Sequence, residues 1–211
     1  MKSKAKEKAE KIIELLEIRY PEPECGLIWE GDAYRLLIMA ILSAQCTDAR
    51  VNIVAKTLFE RFPTVYDMAG AELSDIEREI HSVGLYRSKA KALKECATRV
   101  SEVYGGKVPS EMEDLLTLRG VGRKVANLIR GDIFGLGGIV ADTHCIRISG
   151  RLGLADGKDP VKTERALSKL IPLEKQSDYC HRMVLFGREI CIARSPKCDE
   201  CELKIYCEYG K

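Results

Sequence analysis

The sequence predicts an all-α protein. Three observations carry that reading. Apolar residues recur at helical spacing in one segment after another. Glycine or proline closes most of those segments. Only one short stretch, Gly138-Ile-Val-Ala141, carries a strand signal.

Taken in order, residues 4–19 place Ile12, Ile13, Leu15, Leu16 and Ile18 at helical spacing, and Pro21 and Pro23 stop the run. Residues 33–42 are nearly all apolar and predict a buried helix. Residues 48–62 predict an amphipathic one, with Val51, Ile53, Val54, Leu58 and Phe59 on its apolar side. Ser74-x-x-Glu77 has the capping-box pattern for a short helix running to Gly84. A helix over 89–104 is closed by Gly105-Gly106, and Ser110-x-x-Glu113 caps the next short one. A helix over 121–134 ends at Gly135, and Asp142 caps a helix reaching Gly150. Two more are expected near 161–170 and 177–190. No repeat or low-complexity tract interrupts the chain. Residues 27–135 read as one helical bundle, and residues 1–26 with 136–211 as a second, discontinuous unit.

At 211 residues the chain can bury a substantial core, and its aliphatic content argues against disorder. A net charge of +2 neither demands nor excludes nucleic acid, so any basic footprint is local. The longest wholly apolar run, Leu36 to Leu42, is too short to span a bilayer. Residues 1–8 lack the apolar core of a signal peptide, so a cytoplasmic protein is expected. Nine cysteines, an odd number, argue against disulfides in that compartment. Cys25, Cys46, Cys96, Cys145 and Cys180 read as small buried hydrophobes; Cys46 and Cys145 lie nearest the motifs described next.

Cys191, Cys198, Cys201 and Cys207 stand apart, in a C-x6-C-x2-C-x5-C spacing. Four thiolates so close in sequence can close on one metal centre. Zinc takes four thiolates tetrahedrally, and a [4Fe–4S] cluster also takes four. Structural zinc sites usually pair two close C-x2-4-C knuckles. Here only Cys198 and Cys201 form such a pair, and the wider outer spacings favour the larger cluster. No open ligand position is visible, which suggests a structural role. Arg194 and Lys197, with no acid between the first two ligands, can meet phosphate or form a solvated loop.

Leu118-Arg-Gly-Val-Gly-Arg-Lys124 reads as a glycine turn opening a helix. Gly120 and Gly122 permit unusual dihedrals and close approach, and amides at a helix N-terminus attract an anion. Glycine turns between helices are common. Here Leu116, Leu118 and Val121 anchor the turn and Val125, Ala126 and Ile129 continue an apolar face, the helix–hairpin–helix pattern for gripping a DNA phosphate without reading sequence. Lys124 falls in the first turn of the second helix. The positive end of the helix dipole disfavours a cation there, which suits a nucleophilic amine better than a solvated ammonium. Asp142, eighteen residues further on, can stabilise a developing cation or simply cap its own helix.

These motifs, in this order and at these distances, resemble the endonuclease III family of DNA base-excision glycosylases over essentially the whole chain. Leu42-Ser-Ala-Gln-Cys-Thr-Asp48, Val83-Gly-Leu-Tyr-Arg-Ser-Lys89 and Val140-Ala-Asp-Thr-His144 also match. The resemblance implies a two-lobed helical DNA glycosylase fold with a helix–hairpin–helix motif and a C-terminal [4Fe–4S] cluster loop. It implies a bifunctional DNA glycosylase/AP lyase acting on oxidised pyrimidines, with damaged double-stranded DNA as partner and nucleoid-associated. A monomer with no membrane contact is expected. Lys124 becomes the nucleophile at the sugar C1′ and Asp142 its catalytic carboxylate. Gln45 fills the gap left by a flipped nucleotide and Leu85 wedges into the duplex. Gly120, Val121 and Gly122 supply phosphate-binding amides, Asp48 and His144 lie near the pocket, and the four cysteines hold the cluster. One departure is Arg119, where the family usually has proline. An adenine–mispair glycosylase shares the cluster and hairpin but lacks the lysine. A non-catalytic iron–sulfur DNA-binding protein would need no Lys124 with Asp142, and a zinc-stabilised helical module would need only the cysteines.

Overall fold

The computed structural model describes Ser3 to Tyr209. Among the described residues there are helices, short 3-10 turns and loops, and no strand. The chain divides into two compact units, with breaks between Glu24 and Cys25 and between Phe134 and Gly135.

The unit from Cys25 to Phe134 is built around α2 (Ala33–Leu42), whose N-cap Asp32 accepts from the Tyr34 and Arg35 amides. Residues 36–42 are all buried, so this helix is apolar all round and sits at the centre of its core. Around it lie α3 (Asp48–Arg61), α4 (Val65–Gly70), α5 (Leu73–Glu79), α6 (Tyr86–Val103), α7 (Met112–Leu115) and α8 (Arg123–Asp132). Leu58, Met68, Leu93 and Ile129 are fully buried against the same core. Burying each such side chain contributes roughly 1.5–3 kcal/mol.

Several starts differ from the sequence expectation, among them α8, which begins at Arg123 and not at Val121. Helix α5 begins at Leu73, ends at Glu79 and has no side-chain cap, so the Ser74 capping box does not form. Buried Ile76 and Ile80 set its phase, and Leu73, packed on the same core, draws the start ahead of Ser74. Helix α7 is preceded by Glu111 rather than Ser110, whose hydroxyl donates to the Glu111 carboxylate at 3.3 Å. Helix α6 begins at Tyr86, three residues before the expected Lys89, because Leu85 adopts a left-handed conformation that launches it early. Helix α4 was not anticipated. It is fixed by a reciprocal capping box between Thr64 and Asp67.

The other unit joins α1 (Lys4–Arg19) to α9 (Thr143–Arg151), α10 (Pro160–Leu170) and α11 (Gln176–Glu189). Ile12 and Leu16 of α1 share a core with Ile148, Leu167, Tyr179, Met183 and Phe186. Arg182 of α11 is buried beside the end of α1. Its guanidinium donates to the Tyr20 carbonyl at 2.9 Å and the Pro21 carbonyl at 3.2 Å, and Asp178 lies 3.4 Å away. A cation at a helix C-terminus satisfies carbonyls that have no partner within the helix. Gly138-Ile-Val-Ala141 forms no strand. It is an extended segment pinned to α11, with the Gly138 amide on Gln176 Oε1 at 2.9 Å and the Val140 amide on Cys180 Sγ at 3.2 Å.

Candidate functional site

The glycine turn lies between α7 and α8. Leu115, Leu118 and Val121 are buried and anchor it; Leu116, expected to do the same, is exposed. Gly120 has φ +84°, and a Cβ there would stand 3.0 Å from Ile41 Cγ2 and 3.3 Å from Ala92 Cβ. Glycine is therefore required both by conformation and by the nearness of α2 and α6. Gly122, the N-cap of α8, has extended backbone, and a Cβ there would meet nothing.

The amides of the turn are not equivalent. The Val121 amide donates to the Leu118 carbonyl at 3.1 Å and is spent inside the turn. This corrects the expectation that it grips phosphate. Gly120 and Gly122 are exposed and their amides have no acceptor among the described residues. Tethers from α6 hold the loop: Arg99 Nε donates to Thr117 Oγ1 at 2.8 Å, and Tyr104 Oη to Asp114 Oδ1 at 3.1 Å. Arg119, where proline was usual, is exposed and lies 3.7 Å from the Glu95 carboxylate on α6. Lys124 sits at the second position of α8, exposed and with no ion pair or hydrogen bond among the described residues.

Two further turns of this unit carry Gln45 and Leu85. Both residues are exposed and both have positive φ, 54° and 60°; Glu30 is the only other non-glycine residue so placed among those described. A left-handed conformation costs an ordinary residue about 1–2 kcal/mol, and such strain clusters at functional sites. Sequence reasoning found these two by resemblance only, because nothing in their residue types signals the backbone. Asp48 opens α3 just after the first of these turns. A Cβ on Gly26 would come 2.5 Å from Asp48 Oδ2, so the carboxylate packs over Gly26 and would have to shift to admit a side chain there.

In the discontinuous unit, Asp142 caps α9, its Oδ1 accepting from the Cys145 amide at 2.7 Å. The pinned segment before it fixes its approach, and Gln176 and Cys180 do the pinning. Neither was anticipated in that role. The Asp142 side chain is half-buried and keeps a second oxygen for other use. His144, the second residue of α9, has Nδ1 at 3.2 Å from Arg147 Nη2. Burial holds His144 below its ordinary pKa, with the Arg147 and Arg188 charges adding to the effect and Asp142 opposing it.

The four cysteines Cys191, Cys198, Cys201 and Cys207 are half-buried and line one cavity of about 290 Å³. Arg151, Ile190, Pro196, Lys197, Lys204 and Tyr209 complete the wall. Two arginines of α9 hold the loop. Arg147 donates to the Cys191 carbonyl at 2.9 Å. Arg151 donates to Cys191 Sγ at 3.2 Å and to the Ile192 and Ala193 carbonyls at 3.1 and 2.8 Å. The Arg151 guanidinium also covers the Tyr209 ring at 4.2 Å. Burial raises the Cys201 thiol above its usual pKa. Arg194 and Lys197 are exposed on this loop. Of the five other cysteines, Cys96, Cys145 and Cys180 are buried, while Cys25 and Cys46 are only half-buried.

Residues 38–173 match the model of the HhH-GPD superfamily of base excision DNA repair proteins. Endonuclease III from Synechocystis sp. is 43% identical over 203 residues, covering 96% of this chain and 92% of that protein. The Bacillus subtilis endonuclease III is 42% identical over 193 residues, covering 91% and 88%. Among solved structures, a trapped covalent intermediate of endonuclease III with DNA superposes with a TM-score of 0.90 at 39% identity, covering 99% of this chain and 97% of that one. A thermostable thymine-DNA glycosylase gives 0.87 at 26% identity, covering 96% of each. Within the described residues no helix is long and apolar enough to cross a membrane. Matched over residues 38–173 by the superfamily model and along most of its length by relatives 43% and 42% identical, the chain belongs to the endonuclease III family of the HhH-GPD superfamily.

Proposed function

We propose that the protein is a bifunctional DNA glycosylase and AP lyase that removes oxidised pyrimidines from duplex DNA. The observation that carries this reading is Lys124: an exposed primary amine near the amides of Gly120 and Gly122, with no partner for any of the three among the described residues. Those amides hold a backbone phosphate, and the lesion leaves the stack because its glycosidic bond is shielded inside the helix. Lys124 Nζ attacks C1′, the bond from C1′ to the base breaks, and the base leaves with a proton. Asp142 stabilises positive charge on the sugar through its uncommitted oxygen. The C1′–O4′ bond then breaks, O4′ leaves as a hydroxyl by taking a proton, and the resulting iminium acidifies the C2′ proton. Loss of that proton expels the 3′ phosphate, which nicks the strand. Gln45 and Leu85 enter the space the nucleotide vacates, and a monomer suffices for these steps.

The experiment is borohydride trapping on lesion-bearing duplex. Lys124→Gln should abolish both trapping and nicking while retaining DNA binding. Asp142→Asn should slow base release by about 3 kcal/mol of barrier, the scale of losing one preorganised electrostatic group. On a preformed abasic site it should recover part of its activity. Normal trapping by Lys124→Gln would remove this lysine as nucleophile.

The cysteine cavity supports a [4Fe–4S] cluster as its occupant. A single ion is comparable in size to a water, whose share of liquid volume is about 30 Å³; the cavity of about 290 Å³ suits a larger group. Cys191, Cys198, Cys201 and Cys207 would hold it, one thiolate to each iron. Bound there, it cross-links a loop with little apolar core of its own. Anaerobically purified protein should contain iron and sulfide, and Cys198→Ser should lose both with a lower Tm. Stoichiometric zinc without iron would overturn the assignment.

A further inference from the structure

The turns bearing Gln45 and Leu85 lie against each other: a Cβ on Gly84 would stand 3.9 Å from the Gln45 carbonyl oxygen. Each turn holds an exposed side chain on a left-handed backbone. In the first turn Ser43 Oγ donates to the Ala40 carbonyl at 2.8 Å, but among the described residues no side chain bonds to the backbone of Gln45 or Leu85. One residue reaches both. Lys89, buried to 6% exposure, donates its backbone amide to the Leu85 carbonyl at 3.0 Å and its Nζ to the Leu42 carbonyl at 2.8 Å. Leu42 ends α2, three residues before Gln45, where carbonyls lack helical partners and the dipole favours a cation. Burial pulls the Lys89 pKa down, so the ammonium is held there at a cost in solvation. Lys94, one turn further along α6, makes a similar bond to the Ala71 carbonyl at 2.7 Å, beside neither strained turn.

We propose that Lys89 is a positioning residue that locks the Gln45 and Leu85 turns into a single rigid wedge for opening the duplex. The inference rests on the glycosylase reading above and deepens it. An apolar side chain thrust between base pairs must resist being pushed back while the bases unstack. Leu85, 64% exposed, has no packing of its own to resist that force. Its backbone is braced through Lys89 to the end of the central helix. Lys89 itself touches no reacting atom, so its loss should impair opening of the duplex and leave the amine chemistry intact.

The test uses the full-length protein and two substrates: a duplex with one oxidised pyrimidine, and a single strand with a preformed abasic site that needs no wedge. In Lys89→Met, single-turnover base release from the duplex should fall about tenfold. Trapping on the single strand and affinity for undamaged duplex should stay at wild-type levels. The fluorescence rise of a 2-aminopurine placed beside the lesion should be lost. Lys94→Met should keep the wild-type duplex rate. A folded Lys89→Met with the wild-type duplex rate overturns the proposal, as does an equal loss on both substrates. If Lys89→Met does not fold, Lys89→Gln, too short to reach the Leu42 oxygen at the same distance, carries the same split and the same overturning outcomes. A wild-type protein that traps neither substrate refutes the glycosylase reading, and this proposal with it.

Discussion

At residue scale the two hairpin glycines do different work. Gly120 is forced by its backbone and by Ile41 beneath it; Gly122 has open space where a side chain would go. Gly120→Ala should therefore destabilise the protein by about 1–3 kcal/mol through backbone strain and crowding. Gly122→Ala should leave the melting temperature near that of the wild type. Its effect should appear only when a phosphate has to approach, as weaker binding to every duplex, damaged or not. Thermal melts together with salt-controlled binding titrations check both. A large stability loss in Gly122→Ala, or a changed lesion preference, would contradict this division. The sequence pointed to both glycines but could not tell them apart, and it counted the Val121 amide as free, because only the turn's internal hydrogen bonds reveal which donors are already used.

At the scale of elements, α9 links several parts of its unit. Asp142 caps it, Arg147 and Arg151 hold the cysteine loop, and His144 lies between them in sequence. The His144 pKa is lowered below the ordinary 6.5, with burial first among the causes. Between the lowered value and 6.5 the unfolded chain binds more protons than the folded one, so stability rises with pH across that window and is lost as pH falls through it. The protein should melt lower at pH 5.5 than at pH 7.5, and the difference should shrink in His144→Gln, which keeps an acceptor for Arg147. An unchanged pH dependence would mean that His144 does not carry it. Helix α1, with its strong periodicity, and α2, with its unbroken apolar run, were legible to the residue. Short helices were not: Ser74 and Ser110 matched a capping pattern by composition, whereas buried Ile76 and Ile80 and the left-handed Leu85 decided where α5 and α6 begin. Helix α4, only six residues long, is too brief for periodicity to reveal.

For the whole molecule, a net charge of +2 says little, since any binding surface is local: hairpin amides with no acceptor among the described residues, Lys124 beside Arg123, and Arg194 and Lys197 on the cysteine loop. Lys124, Asp142 and the four cysteines could be singled out in the sequence because the chemistry proposed for them requires particular residue types at particular spacings. Lys89, Gln176 and the arginines of α9 were not, because their roles depend on contacts across long stretches of chain. One such long-range arrangement matters before the protein exists in full. Helix α1 shares its core with α9, α10 and α11, yet it ends at Arg19 and the rest of its unit begins only at Gly135. On the ribosome the nascent chain emerges at about 5–20 residues per second. Until the last helices are made, Ile12, Ile13 and Leu16 have nothing to bury against, and a 16-residue helix alone is marginal in water. The continuous segment from Cys25 onward can form its core during that wait. Helix α1 spends it as an exposed amphipathic stretch, a natural target for chaperones that grip short hydrophobic segments.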